Sequence, residues 1–423
     1  MLYFNWFDMC GIAGFSGNFE RSLLEQMNQS IAHRGPDDAG VYIDQEQKIG
    51  LAHRRLSIID LSAHGHQPMW DKTQTVAIVF NGEIFNYQEL RSHLIKEGWE
   101  FESHCDTEVL LNLYLKEGEE MLGSLNGMFA FALWDTRNQT LFLARDGVGV
   151  KPLYYAETPK GFLFASELKA LLAETSLEQT LNPEAIHYYL SYLWCPAPHT
   201  ILHSVQKLKP GHALIVKNGK IEKNRPFYDL PYNQPIEIFS EKNAIEQVQH
   251  HVKQAVERQM VADVPVGAFL SGGLDSSAVV AFARQCSPHN QFDCFTIGFK
   301  DSSFQQEGMT DDLPFAQRVA DYLDVNLHTI YVGTEMLDQL ETMVYHLDEP
   351  QADPAPLNAL FISKLAHDQG LKVLLSGAGG DDIFTGYRRH YALMQEHYWK
   401  WLPASMRGAV QNIANQIPVS TTL

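Results

Sequence analysis

Two glycine-rich segments in the second half of the chain carry residue types suited to phosphate chemistry. Val264–Ser277 (VPVGAFLSGGLDSS) reads as an apolar strand, then Ser271-Gly272-Gly273-Leu274-Asp275-Ser276, then a helix. Glycines let the backbone turn tightly with its N–H groups inward, and a helix N-terminus adds partial positive charge, so the segment suits a pyrophosphate. The Gly-Lys-Ser/Thr ending of a Walker A loop is absent, which disfavours a P-loop kinase. A carboxylate inside such a loop makes sense where Mg2+ bridges it to phosphate. Lys372–Tyr387 (KVLLSGAGGDDIFTGY) repeats the pattern, with Ser376, Gly377 and Ala378 after a strand and then Asp381-Asp382. One such loop alone is also explained by a turn that binds nothing. Two of them, each with an Asp, suit one Mg2+–triphosphate held between them.

The first half supplies a second set of motifs: Met9-Cys10-Gly11-Ile12-Ala13-Gly14, His33-Arg34-Gly35-Pro36-Asp37, His53–Leu61, Asn81-Gly82-Glu83-Ile84 and Asp106-Thr107-Glu108. The series resembles class II glutamine amidotransferases, which are N-terminal-nucleophile hydrolases, while SGGLDSS resembles the pyrophosphate loop of ATP-pyrophosphatases. From Met9 to about Tyr391 the chain resembles glutamine-hydrolysing asparagine synthetases. The resemblance implies that Cys10 attacks the glutamine side-chain amide, with its own free α-amine as proton acceptor. It implies that Arg55 holds the substrate carboxylate, that Asp106 and Glu83 read its ammonium, and that Asn81 and the Gly82 N–H form an oxyanion hole. In the second half it implies phosphate contacts from Ser271, Gly272, Gly273 and Ser276. Leu270, Ile297, Ser376 and Gly377 would contact the nucleotide, and Asp275 and Asp381 would ligate Mg2+. Glutamine, MgATP and a carboxylate acceptor are the implied ligands, aspartate by default, and a homodimer is compatible with it. Asp348-Glu349-Pro350 also fits the family pattern and is expected to support the acceptor region.

Three departures qualify the resemblance. Cys10 must become residue one for its amine to be free, so translation is expected to start at Met9, with residues 1–9 an extension or misassigned start. Ala378 stands where the family carries an acid tied to acceptor chemistry, which brings in a sugar uronate as the alternative acceptor; Gly147 likewise replaces a usual Arg after Asp146. The family also runs on well past Leu423 and brings a catalytic lysine there, so the second domain is expected to be C-terminally truncated. A noncatalytic ATP-binding remnant is the alternative of a different class.

The elements that must position these residues have two textures. Residues 10–210, the expected glutaminase domain, are dense in short β-type runs such as Thr75–Phe80, Met128–Trp134 and Gly161–Ala165, with helical stretches near Arg21–Ala32 and Glu108–Lys116. That pattern predicts an α+β fold, stacked antiparallel sheets with helices outside. A boundary segment, carrying one further strand pair around Gly219, is expected over 211–240. From 241 to 423 helices and strands alternate, predicting an α/β domain with a doubly wound parallel sheet and ligands at the carboxyl ends of its strands.

Composition supports this frame. The chain has 423 residues, enough for two to three domains. Its 32 Lys and Arg against 51 Asp and Glu give a net charge of −19, which argues against binding nucleic acid or an anionic membrane surface. No apolar run reaches the length that spans a bilayer. The first ten residues do not read as a signal peptide, and five scattered cysteines do not make a disulfide framework, so a cytoplasmic location is expected. The His64-Gly65-His66 and His250-His251 pairs lack a third ligand at metal-binding spacing and read as surface histidines.

Overall fold

A computed structural model describes residues 9–232, 239–289, 291–300, 312–353, 355–398, 400–403 and 406–407. The expected N-terminal extension, apart from Met9, lies outside the described residues. The first domain carries β1 (Gly11–Gly17), α1 (Arg21–Ser30), β2 (Asp38–Asp44), β3 (Ile49–Arg55), β4 (Met69–Trp70), β5 (Val76–Ile84), α2 (Tyr87–Lys96) and α3 (Asp106–Glu117). It continues through β6 (Gly127–Asp135), β7 (Thr140–Arg145), β8 (Tyr154–Thr158), β9 (Gly161–Ala165), α4 (Leu168–Leu171), α5 (Pro183–Tyr192), β10 (Gln206–Lys207), β11 (His212–Lys217) and β12 (Lys220–Pro226). The strands form two six-stranded sheets, ordered β10-β8-β9-β1-β3-β2 and β12-β11-β7-β6-β5-β4, with antiparallel pairing throughout.

Side-chain alternation explains the layering. On β5, Ala77 and Val79 point into the core shared by the two sheets, whereas Val76, Ile78, Phe80 and Ile84 point to the core under α2 and α3. The same alternation on β6 sends Ala130, Ala132 and Trp134 inward and Phe129, Phe131 and Leu133 outward. With both faces covered, such strands read as unbroken apolar runs. On the other sheet, Leu23, Leu24 and Met27 of α1 pack on Ala13, Phe15 and Leu163. The result is the expected sandwich of stacked antiparallel sheets between helical layers.

One boundary differs from expectation. β11 and β12 lie within the segment 211–240, yet β11 pairs with β7 from Ala213↔Ala144 to Val216↔Leu141, so the first domain extends through Pro226. The Lys- and Asn-rich composition that suggests a linker is that of an exposed edge strand, where charge discourages further pairing. Helices α2 and α5 are also additions to the expected elements. Only Tyr87 and Leu94 of α2 are buried, which leaves little periodicity to read; α5 opens on a capping Asn182 followed by Pro183, a start signal that is legible.

The second domain contains α6 (Glu241–Gln259), β13 (Val266–Phe269), α7 (Leu274–Cys286), β14 (Asp293–Phe299), α8 (Leu313–Leu323), β15 (Asn326–Val332), α9 (Leu340–Leu347), α10 (Ala355–Asp368), β16 (Val373–Leu375), α11 (Gly380–Phe384) and α12 (Arg388–Met394). Its four strands are parallel, ordered β15-β14-β13-β16. Ala268 and Cys294 face a core with Val256, Val280 and Ala316 from α6, α7 and α8. Phe295 and Leu374 face the opposite side, against Ile362 and Ala366 of α10. The sheet is therefore doubly wound, as the alternation predicts. Among the described residues no helix is long and apolar enough to cross a membrane.

Candidate functional site

Two sites form, one in each domain. In the first, Cys10 precedes β1, Arg55 ends β3, Asn81, Gly82 and Glu83 sit on β5, and Asp106 opens α3. All six line one cleft, joined by Gln67, Thr107 and Lys151, and by Lys372 and Leu374 from the second domain. Gly82 is dictated by the packing, since a Cβ there would lie 2.2 Å from the Met128 carbonyl oxygen.

The electrostatics follow from burial. The Cys10 thiol is pushed above its usual range by desolvation, against the pull of Lys151 and Arg55; its Sγ accepts the Leu56 N–H at 3.4 Å. A thiol so placed needs a base to become a nucleophile. Desolvation also raises Asp106 to about 6, although the Ile84 N–H donates to it at 3.0 Å. A buried carboxylate held against its preference favours a cation that arrives with the ligand. Arg55 is held by loop carbonyls, donating to Ser62 O at 2.9 Å and to Asp60 O. Gly65 gives it room, because a Cβ at that residue would lie 1.9 Å from Arg55 Nη2. Asn81 is buried, and its Oδ1 has no hydrogen-bond partner among the described residues. Its Nδ2 lies 3.5 Å from Ser166 Oγ.

Sequence reasoning missed Lys151 and Glu167. Lys151 is buried with its Nζ 3.3 Å from Met9 Sδ, and desolvation lowers its pKa. The loop before it winds around the Asp146 carboxylate, which accepts the N–H groups of Phe129, Val150 and Lys151. The departure at Gly147 has a local reason, since Tyr228 packs where a side chain would go, 2.7 Å from a Cβ there. Glu167 accepts Arg34 Nη1 at 2.8 Å, and Arg34 Nε donates to the Cys10 carbonyl at 3.0 Å. His33 Nε2 lies 2.9 Å from the same carboxylate. The HRGPD run at 33–37 is the sequence signal for this cluster, but nothing local in it points to Glu167, more than 130 residues away.

The second site is built from backbone. Gly272 turns at φ +76°, and a Cβ there would lie 2.4 Å from the carbonyl carbon of Phe315. Ser271 Oγ and Ser276 Oγ are 2.9 Å apart, and the Gly273 N–H donates to Ser271 Oγ at 3.3 Å. The loop thus closes over the first turn of α7. The second glycine loop lies directly against it, since a Cβ on Gly377 would be 2.6 Å from the Ser276 nitrogen, and one on Gly380 2.1 Å from Asp275 Oδ2. Burial and the charge of Asp381 raise the Asp275 carboxyl. Two carboxylates near enough for one to raise the other's proton affinity fit a divalent cation that also holds phosphates. Ser271, Ser376 and Ala378 line a cleft with Phe269, Gln351 and Asp353. Leu270 instead sends its side chain into the core of α6, α7 and α8, and Ile297 packs among apolar residues beside α9 and α10, so neither side chain lines that cleft.

Asp348-Glu349 departs from its expected place. Rather than lying by the acceptor loops, both carboxylates reach the first domain, where Glu349 accepts the Tyr154 hydroxyl at 3.0 Å and pairs with Lys207 at 2.5 Å. The histidine pairs behave as surface groups, with His66 Nδ1 2.6 Å from Asp38. No cluster of three or more metal-binding side chains occurs among the described residues.

Comparison with known proteins adds to this geometry. Residues 9–228 match a glutamine amidotransferase domain family and residues 247–422 an asparagine synthase family. The chain is 36% identical over 438 residues to a Methanocaldococcus jannaschii protein named putative asparagine synthetase (glutamine-hydrolyzing) 2, covering 98% of this chain and 82% of that one. It is 34% identical to asparagine synthetase (glutamine-hydrolyzing) 1 of Bacillus subtilis, covering 97% and 64%. It is 32% identical to amidase chry2 of Gibberella zeae, covering 94% and 62%. The chain thus spans less than two thirds of the latter two relatives.

Proposed function

The chain belongs to the glutamine-hydrolysing asparagine synthetase family, and we propose from that premise that it is a glutamine-dependent amidotransferase whose two clefts share one strand. The observation that carries this reading is β16. Leu374 lines the Cys10 cleft, while Ser376, two residues on, lines the cleft of the glycine loops. Ammonia released at Cys10 would have only a short internal path to the second site.

In the first cleft, Arg55, Asp106 and Glu83 bind the carboxylate and ammonium of glutamine. With Met9 removed, the Cys10 α-amine takes the thiol proton as Sγ attacks the side-chain amide. Asn81 and the Gly82 N–H stabilise the tetrahedral oxyanion, the amide nitrogen leaves as ammonia, and water hydrolyses the thioester to glutamate. In the second cleft, Ser271, Gly272, Gly273 and Ser276 hold the phosphates of ATP. Mg2+, held by Asp275 and Asp381, would neutralise charge building on the leaving pyrophosphate. An acceptor carboxylate oxygen attacks the α-phosphorus and expels PPi; ammonia then displaces AMP to give the amide.

Aspartate is the default acceptor, giving asparagine. A sugar uronate is the second reading, favoured by Ala378, which lines this cleft where the family carries an acid. PPi release with ammonium and MgATP, measured with aspartate and with a hexuronate, separates them. Aspartate-dependent release would exclude the uronate reading, and release with neither would favour an ATP-binding remnant.

A further inference from the structure

A third cleft, in the first domain, has no part in the proposed chemistry. It has a volume of about 830 Å³ and lies between the β4–β5 turn, the loop after α2 and one side of α3, a size typical of small-molecule sites. It shares no lining residue with the Cys10 cleft or the cleft of the glycine loops. Asp106 of α3 belongs to the Cys10 cleft, whereas Glu108, Leu111 and Asn112 of the same helix line this one.

The lining is acidic and aromatic. Asp71, Glu97, Glu100, Glu102 and Glu108 stand against a single cation, Lys72. Three of these carboxylates are committed to the protein itself. Asp71 accepts the N–H groups of Thr73, Thr75 and Val76, Glu108 accepts those of Glu102 and Ser103, and Glu97 pairs with Lys116 at 2.7 Å. Glu100 pairs with Lys72 at 2.9 Å, an exposed contact of small worth that an incoming cation can displace. The Glu102 carboxylate makes no hydrogen bond or ion pair among the described residues. The hydrogen bond to Glu100 raises the Lys72 pKa, and the charges of Glu102 and Glu108 add to it, so three carboxylates act on one point. Trp70 and Trp99, both half-buried, supply apolar walls, and Tyr42 fixes the Trp70 ring edge-on at 4.9 Å.

Asn112 is a separate sign of a ligand. It is only 8% exposed, it lines the cleft, and its Nδ2 has no hydrogen-bond partner among the described residues. Its neighbours Leu111 and Leu113 are buried and apolar. A buried amide without a partner in a helix interior costs stability, and a Leu would pack there without that cost. Packing therefore gives no reason for an Asn, whereas a hydrogen-bonding ligand in the cleft would.

These groups define the chemistry of the occupant. An anion is repelled by the excess of carboxylates. A bare metal ion finds no cluster of three or more ligating side chains among the described residues, and it would leave the amide and the indoles unused. An ammonium suits both the carboxylates and the indole faces, a hydroxyl can donate to or accept from the Asn112 amide, and C–H groups pack on the indoles. We propose that this cleft binds an ammonium-bearing polyol, the class of the amino sugars, with Glu100 and Glu102 taking the ammonium, Asn112 a hydroxyl, and Trp70 and Trp99 the C–H face.

Ligand-observed NMR titrations of the full chain with glucosamine, glucose, glucuronate and methylammonium test this assignment. They are run at about pH 6, where the amines are protonated and exposed Glu side chains ionised. Glucosamine is expected to bind about fivefold more tightly than glucose or methylammonium, and glucuronate not at all. Glu102→Gln should bring glucosamine down to the affinity of glucose, and Asn112→Leu should weaken both sugars by about tenfold. Lys72→Met removes the internal competitor for Glu100 and should tighten glucosamine binding by about two- to fivefold, a gain that damage to the fold does not produce. The denaturation midpoint of Asn112→Leu is expected at or above that of the wild type, which separates a lost ligand contact from a lost helix. Equal affinity for charged and uncharged probes, tightest binding of glucuronate, no binding of glucosamine, or an affinity that none of the three variants moves overturns the inference.

Discussion

The two clefts are made from different materials. The Cys10 cleft is lined by side chains of sandwich strands and a helix start, with Asn81, Asp106, Arg55 and Glu83 all buried. Desolvation sets its chemistry, raising Cys10 and Asp106 and lowering Lys151. The proposed ATP site is built from loops beyond strand ends, with Gly273 and Asp381 exposed. On the proposed reading, the first is preorganised before glutamine arrives, and the second would be completed by the phosphates and cation it binds. A rigid site suits covalent chemistry at a fixed nucleophile, whereas an open backbone cradle suits a large charged substrate that must enter and leave.

The largest expected effect separates the clefts outright. Cys10→Ala should lower glutamine-dependent PPi release by on the order of 10⁴-fold or more, as losses of a nucleophile do, while ammonium-dependent release persists. An equal loss with ammonium would mean that the clefts are not separate catalysts. Next in size, Asp275→Asn should lower ammonium-dependent PPi release by about 100-fold, because one charge of the cation site is removed. Unchanged release at saturating Mg2+ would take Asp275 out of that role.

Glycine substitutions sharpen the contrast between rigid and open. Gly82→Ala forces a Cβ against the Met128 carbonyl within a sheet and should cost about 1–3 kcal/mol of stability, read as a lower denaturation midpoint. Gly379→Ala meets no atom within 4 Å, and its φ of +89° should cost about 1 kcal/mol or slightly more. A larger loss at Gly379 than at Gly82 would contradict this view of the two sites.

The smallest effect is in pH. Asp106 sits near 6, above the usual carboxylate range, so it gains a proton as pH falls through 6 and loses its charge for the substrate ammonium. The glutamine KM should rise about tenfold per unit below that point, and Asp106→Asn should flatten the profile. The linkage to folding runs the other way. A raised folded-state pKa means that the native protein takes up this proton more readily than the unfolded chain. This group's contribution to stability therefore grows as pH falls from above 6 toward the ordinary carboxylate range.

Most of this arrangement was legible in the residues, for reasons that differ by region. The second domain's four strands and its four longer helices were readable because each carries its own period, and β15 has the bounds its sequence implies, Asn326–Val332; α9 was not, since Met343 is its only buried residue. The glycine loops were readable because close approach leaves no room for side chains, as at Gly272 and Gly377. In the first domain, the strand pair around Gly219 was legible as strands but was assigned to the boundary, because an exposed edge strand and a linker share a polar composition. The roles of Lys151, Glu167 and Asp348 were not legible. Each is held by partners far along the chain, Glu167 by Arg34 and Asp348 by Lys169, and no local pattern encodes such pairings.

On the proposed reading, ammonia passes internally from Cys10 to the ATP cleft. The most direct measurement supplies glutamine labelled with ¹⁵N in its side-chain amide, MgATP, and aspartate or a hexuronate, in a bath of unlabelled ammonium. Internal transfer gives an amide product enriched in ¹⁵N well beyond the bath ratio. A product whose nitrogen matches the bath, or no amide with either acceptor, would contradict it.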